Sequence, residues 1–232
     1  MSMSTICHNL TFLLEKISLA ATLAGRDPKK IKLVAVSKTV AAPAILEAIA
    51  CGQVLFGENY LQEASEKIPI LPSQTQWHFI GRLQSNKCRQ VVELFDMVET
   101  VDRPKLANRL NFHAGEMGHK LKVLVQVNIG REPQKAGVLP EKAASLISEI
   151  ANKEHLECRG LMALPPFFDN PEASRPYFKL LKELADTCAR QGLFHDNEQV
   201  ELSMGMSGDY LAAIEEGATI VRIGTAIFGT RL

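Results

Sequence analysis

A lysine closes one of the most apolar runs of this chain, IKLVAVSKT at positions 31–39. Ammonium groups are rarely buried without a partner. Lys38 therefore either caps a strand and reaches water, or sits in a pocket and does chemistry. Two later segments bear on the choice. SMGMSGD, 203–209, offers small residues whose N–H groups can approach an anion, with hydroxyls from Ser203 and Ser207. IGTAIFG, 223–229, repeats the theme with Gly224 and Thr225. Either alone reads as a turn; both together, at strand ends, read as an anion site. Arg222 interrupts the last apolar run, VRIG, where a guanidinium is costly to bury without a partner. It either faces a flat heterocycle or forms an internal ion pair with Glu58 or another acid.

An amine in an electropositive, partly apolar pocket loses part of its preference for the protonated form. A neutral amine is a nucleophile that forms a Schiff base with an aldehyde. An aldehyde carrying a phosphate would engage Lys38 at one end and the small-residue loops at the other. Pyridoxal 5′-phosphate (PLP) is such a molecule. A Schiff-base aldolase acting on a phosphorylated sugar, with no cofactor, would use the same parts.

Residues so far apart meet only if the fold gathers them. Apolar, β-rich runs occupy 31–37, 53–56, 76–80, 97–101, 122–129, 157–164, 199–203 and 219–223. Segments with helical spacing alternate with them, at 43–50, 86–95, 104–112, 141–153, 176–189 and 209–216, and 10–23 adds a helix before the first strand. Prolines 43, 104 and 140 stand near helix starts, where a missing N–H does no harm. Strands alternating with helices pair in parallel. Continuous rather than alternating apolar runs mean that both sheet faces are covered. The expected fold is α/β: a single (β/α)8 TIM barrel over 1–232 with an extra N-terminal helix. An open doubly wound sheet is the alternative, but its G-x-G-x-x-G fingerprint is absent.

The working face of such a barrel is the carboxyl end of its strands. That rule gathers Lys38, the stretch 57–59 ending in Asn59, His78 with Gly81 and Arg82, Asn128, Met162, Ser203 with Ser207, and Arg222 with Gly224 and Thr225. The loosest segment, PPFFDNPEAS at 165–174, belongs on the barrel rim.

The totals exclude other classes. Of 232 residues, 46% are hydrophobic, and 26 basic residues balance 26 acidic ones. A chain with no basic excess offers little to nucleic acid or an anionic membrane. Cys7, Cys51, Cys88, Cys158 and Cys188 lack C-x-x-C or zinc spacing and read as reduced thiols of a cytoplasmic protein. Cys51 and Cys88 fall in predicted helices, as packing. The opening MSMSTICHNLTFLLEK does not read as a signal peptide, and no run approaches the ~18 apolar residues of a membrane helix.

Taken together, KLVAVSKT, FGENYLQEA, WHFIGRLQSNK, VNIGREPQKAG, GLMALPP and LSMGMSGDYLAAIEEGATIVRIGTAIFG resemble the YggS/PROSC group of PLP-binding proteins, the PLP homeostasis proteins, over nearly the whole chain. The resemblance implies a barrel like the N-terminal domain of alanine racemase, without that enzyme's second domain. It implies PLP as an internal aldimine on Lys38. Ser207, Gly224 and Thr225 would hold the phosphate with Ser203 nearby, and Arg222 would face the pyridine nitrogen. Asn59, His78 and Met162 would line the ring or its rim.

An arginine at the ring nitrogen disfavours ring protonation and weakens the electron sink that PLP catalysis needs. Racemases also need a second base, which that family takes from its other domain. Tyr60, Tyr177 and Tyr210 are the tyrosines here, and none is placed like that base. The expectation is a non-enzymatic, monomeric PLP carrier that buffers the cofactor and hands it to apo PLP-dependent enzymes. The alternative is a PLP-dependent amino-acid racemase or decarboxylase.

Overall fold

The computed structural model describes residues 4–229, so the first three residues of the opening stretch read for a leader lie outside it. Among the described residues, eight parallel strands close in sequence order into a barrel. They are β1 Lys32–Val36, β2 Leu55–Glu58, β3 Gln76–Phe79, β4 Met97–Val101, β5 Leu121–Val127, β6 Leu156–Ala163, β7 Glu201–Ser203 and β8 Ile220–Ile223. Closure is made by β1, which pairs with both β2 and β8 and sets Val34 opposite Arg222.

The helices are α1 Thr5–Leu23, α2 Ala42–Ala50, α3 Leu61–Lys67, α4 Cys88–Leu94, α5 Pro104–Glu116, α6 Pro140–Ala151, α7 Arg175–Arg190, α8 Tyr210–Glu215 and α9 Thr225–Phe228. Proline stands in the first turn of α2, α5, α6 and α7, where its absent N–H has no helical acceptor to lose. The spacing of apolar residues did not reveal α3, because LQEASEK buries only Ala64. The second strand sits two residues later than its sequence suggests. Gln53 lies before it and its side-chain amide donates to the Leu33 carbonyl (2.9 Å), while Glu58 ends the strand.

Two cores result. The larger fills the space between barrel and helices; the smaller lies inside the barrel and contains Val34, Leu55, Met97, Leu124, Met162 and Ile220. Strand side chains alternate with period two. Counting by twos from the inner core therefore reaches Val36 and Lys38 on the first strand, Gly57 and Asn59 on the second, Glu99 on the fourth, and Arg222 and Gly224 on the eighth. A polar layer thus stands above an apolar plug, towards the carboxyl ends of the strands. Gly57 is required there: a Cβ would meet Val34 Cγ1 at 2.6 Å.

α1 packs against α2, α8 and α9, and the Asn9 amide donates to the Ile227 carbonyl at 3.0 Å. Cys7 and Cys51, expected as reduced thiols, instead form a disulfide between α1 and the residue that ends α2, with Cα atoms 5.4 Å apart. The pairing was hidden by a separation of 44 residues, which only the packing of α1 across α2 removes. Cys88, Cys158 and Cys188 are free and buried. Among the described residues no helix is long and apolar enough to cross a membrane.

Candidate functional site

Above the polar layer lies a cavity of about 360 Å³ whose walls come from six different segments of the chain. Val36 and Lys38 enter from β1 and its end, Asn59 from the end of β2, Met162 and Leu164 from β6 and its end, Met206, Ser207 and Gly208 from the loop after β7, and Arg222, Gly224 and Thr225 from β8 and its end. Ile80 and the largely exposed Phe167 complete it. Phe167 belongs to the loop that the sequence placed on the rim; its role in the wall was not foreseen, and neither was that of Met206.

The backbone at Lys38 is gripped on both sides. Lys67 Nζ donates to the Ser37 carbonyl (3.0 Å) and to Glu58 Oε1 (3.2 Å). The Ser37 hydroxyl donates to the same Glu58 oxygen at 2.7 Å. Beyond Lys38, the Thr39 N–H donates to both oxygens of Glu63, at 2.9 and 3.0 Å. Thr39 has φ +60°, a left-handed conformation that is unfavourable for a β-branched residue. Glu63 and Lys67 stand one turn apart on α3 and are paired at 3.5 Å. The unforeseen helix α3 is therefore the clamp that fixes the chain on either side of the lysine.

Arg222 is buried, and both alternatives left open for it bear on its surroundings. Its acid is Glu99, not Glu58: the guanidinium lies 3.8 Å from Glu99 Oε2. One amino group donates to the Ser203 hydroxyl and the other to the Ala163 carbonyl (3.0 Å). Ser203 in turn donates to Glu99 Oε2, and His78 Nδ1 meets Glu99 Oε1 at 2.6 Å. Burial alone would raise the Glu99 carboxyl. The His78 hydrogen bond and charge, then Arg222 and Ser203, outweigh it and hold Glu99 below the ordinary carboxylate range. Burial lowers the Arg222 guanidinium, and Glu99 opposes that shift.

Three of the residues gathered by the barrel rule stand apart from the cavity wall. His78 and Ser203 do not line the cavity; they lie below it, oriented by Glu99. Both project into the barrel from strands rather than from the loops above, which puts them in the layer of Glu99. Asn128 is also absent from the wall: its amide donates to the Glu132 carbonyl at 2.8 Å and its oxygen accepts from the Glu132 N–H at 3.1 Å, closing its own loop. Glu99 was missed, although the signal was present. A glutamate in MVETV is as costly within an apolar strand as the arginine in VRIG, and the one calls for the other.

The loop after β7 is shaped by Gly205, which has φ +92° and no room for a Cβ, since one would lie 2.6 Å from the Ala213 Cβ. Its carbonyl accepts from the Arg222 N–H at 3.0 Å, and the Met206 N–H donates to Asp209 Oδ1 at 2.7 Å. These bonds set Ser207 and Gly208 beside Gly224 and Thr225. A Cβ on Gly208 would meet nothing within 4 Å, so its backbone is open to a ligand. The wall holds an amine, a guanidinium, two hydroxyls and open glycine backbone, with no carboxylate among the described lining residues. It is suited to an anionic ligand that also offers a carbonyl group to the lysine.

Comparison with known proteins agrees with the barrel and extends it. The family model for the alanine racemase N-terminal domain matches residues 9–232. The Pyridoxal phosphate homeostasis protein of Haemophilus influenzae is 46% identical over 230 residues, covering 97% of this chain and 96% of its own length. The solved structure of PipY from Synechococcus elongatus, with PLP bound, has a TM-score of 0.82 at 36% identity and covers 97% of this chain and 100% of its own. Alanine racemase from Corynebacterium glutamicum shares the fold (TM-score 0.71, 20% identity), but this chain spans only 61% of it. The chain therefore belongs to the alanine racemase N-terminal domain family, in the group of the pyridoxal phosphate homeostasis proteins.

Proposed function

We propose that this chain is a PLP-binding protein of intracellular PLP homeostasis. It carries the cofactor as a Schiff base on Lys38 and has no robust catalytic activity of its own. The observation that carries this reading is the convergence of Lys38, Arg222 and the loops of Ser207 and Thr225 on one cavity of about 360 Å³. The residues fit the group: an amine for the aldehyde, hydroxyls and the open Gly208 backbone for the phosphate, and a buried guanidinium on the floor for the ring nitrogen. Bound PLP supplies an electrophilic carbon and a conjugated ring. Asn59 and Met162 form the side walls, while His78 and Ser203 act from below through Glu99.

The floor also argues for carriage rather than turnover. Arg222, fixed by Ser203, Ala163 and Glu99, presents N–H donors to a ring nitrogen and so favours its unprotonated state. Among the described residues no tyrosine lines the cavity. Tyr60 opens onto a neighbouring one, Tyr177 stacks on Phe168 at 5.8 Å, and Tyr210 is buried, which raises its phenol. The reading extends to one PLP-binding domain over 1–232, a cytoplasmic monomer, and apo PLP-dependent enzymes as recipients.

The test is spectroscopic. Protein loaded with PLP should absorb near ~420 nm, as lysine-bound PLP does. Borohydride should bleach the band and fix the cofactor on the peptide containing Lys38, and Lys38→Ala should abolish it. A band that survives in Lys38→Ala sinks the attachment site. Steady α-proton exchange of alanine or serine in deuterated water would favour the racemase alternative.

A further inference from the structure

A larger cavity, of about 530 Å³, opens on the same rim beside the first. It lies between the start of α3 and the segment that joins β3 to α4, so it is built from FGENYLQEA and WHFIGRLQSNK, whose distinctive residues the cofactor site mostly leaves unused. Asn59 belongs to both walls. Gly81 is packed so closely on the Asn59 backbone that a Cβ would lie 2.0 Å from its carbonyl oxygen, which makes the partition thin and rigid.

The lining has one sign. Arg82 and Lys87 enter it, with no carboxylate among the described lining residues, in a chain whose charges balance overall. Three nearby cations have acids: Lys67 pairs with Glu58 and Glu63, Arg89 with Glu93, and Arg103 with Asp102. Arg82 and Lys87 have none among the described residues. The side-chain amides of Gln62, Gln84 and Gln90 surround them, also without side-chain partners among the described residues. Asn59 Oδ1 is buried with no hydrogen-bond partner. The backbone beneath is fixed in advance: Thr100 donates to the Gly81 carbonyl (2.7 Å), Arg103 to that of Leu83 (3.0 Å), and the Lys87 N–H to that of Gln84 (3.0 Å).

We propose that this cavity is a second small-molecule site, for an organic anion carrying phosphate or carboxylate groups on a hydroxyl-bearing body. Arg82 supplies a planar fork for one anionic group and Lys87 a point charge for the other. The side-chain amides of Gln62, Gln84 and Gln90 take the hydroxyls. The proposal does not depend on which cofactor, if any, Lys38 carries.

Calorimetric titration with 3-phosphoglycerate, which bears both groups, at about 0.15 M salt tests it. Glycerol 3-phosphate and malate serve as arms that separate phosphate from carboxylate recognition. The expected dissociation constant is below about 1 mM, and it should be retained in Lys38→Ala. Arg82→Gln with Lys87→Gln should raise it by about tenfold or more. Gln62→Glu, an exposed change that puts a carboxylate into the lining, should weaken it as well. Saturable binding of only one arm narrows the class and supports the site. No saturable binding of any probe overturns the proposal. So does binding that survives the double substitution, or that disappears with Lys38→Ala and thereby locates the anion beside the lysine.

Discussion

Glu58 and Glu99 are both fully buried at the carboxyl end of the barrel, yet they are displaced in opposite directions. Burial outweighs the Ser37 hydrogen bond and the Lys67 charge at Glu58, and its carboxyl is raised. At Glu99 burial is outweighed by His78, Arg222 and Ser203, and the carboxyl is lowered. The difference lies in donors rather than depth. Ser37 and Lys67 both serve Oε1 of Glu58, and Oε2 has no partner. On Glu99, His78 meets one oxygen and Ser203 the other, with a guanidinium close by. A buried carboxylate is ionised at little cost only where both oxygens are met. Glu99 accordingly reads as a fixed counter-charge that holds Arg222 under the cavity. Glu58 reads as an adjustable part of the clamp around Lys38.

The largest expected effect comes from removing the fixed charge. Glu99→Ala leaves Arg222 buried without its acid and should cost about 3–5 kcal/mol, read from the midpoint of urea unfolding. A loss below ~1 kcal/mol would mean that the guanidinium is balanced by other groups. Glu99→Gln tests the sign by pH. Because the folded carboxyl is held low, its contribution is present above the unfolded value near ~4.3 and fades as pH falls through the folded value. Stability of the parent should therefore drop more steeply on acidification than that of Glu99→Gln.

Lys67→Met comes next. It removes the donor to both Glu58 and the Ser37 carbonyl, at a cost of about 1–2 kcal/mol. The loss is smaller than at Glu99 because a carboxyl already raised can take up a proton. If the clamp positions the amine, the PLP affinity of this variant falls several-fold more than stability alone accounts for.

Glu58→Gln should be mild and opposite in sign. A raised folded carboxyl contributes stability fully present below the unfolded value and lost as pH rises through the folded one. At alkaline pH the amide should therefore gain over the parent, and thermal melts taken as pH rises above the ordinary carboxylate range should be flatter for the variant. Thr39→Gly should change least, within about 0.5 kcal/mol, since relief of the left-handed conformation is offset by the entropy of glycine. A large loss there would show that the threonine side chain, and not its backbone, is needed beside Lys38.

The barrel was legible because its signals are local. Apolar runs such as KVLVQVNI and prolines at helix starts report their own segments, and alternating strands and helices leave few arrangements. The lysine, the arginine and the small-residue loops were legible for the same reason: each is anomalous where it stands. α3 escaped because its burial is slight and its function is a pair of side-chain contacts back to β1. Glu99 is as anomalous in MVETV as Arg222 is in VRIG, but that anomaly alone does not say which acid meets the arginine, and barrel closure decided it. The disulfide escaped because Cys7 and Cys51 are brought together by helix packing.

The sequence alone determined which residues carry unusual chemistry and on which segments they ride, since residue type and period are properties of the chain itself. The tertiary structure decided who meets whom. Closure of β8 onto β1 sets Arg222 across from Val34, two residues below Val36 and four below Lys38 on the same inward face. Glu99 reaches His78 across 21 positions and Ser203 across 104. Those meetings depend on register and barrel closure. Charge balance in a low-dielectric interior is set by distances of a few ångströms, and distances are fixed only when the sheet has closed.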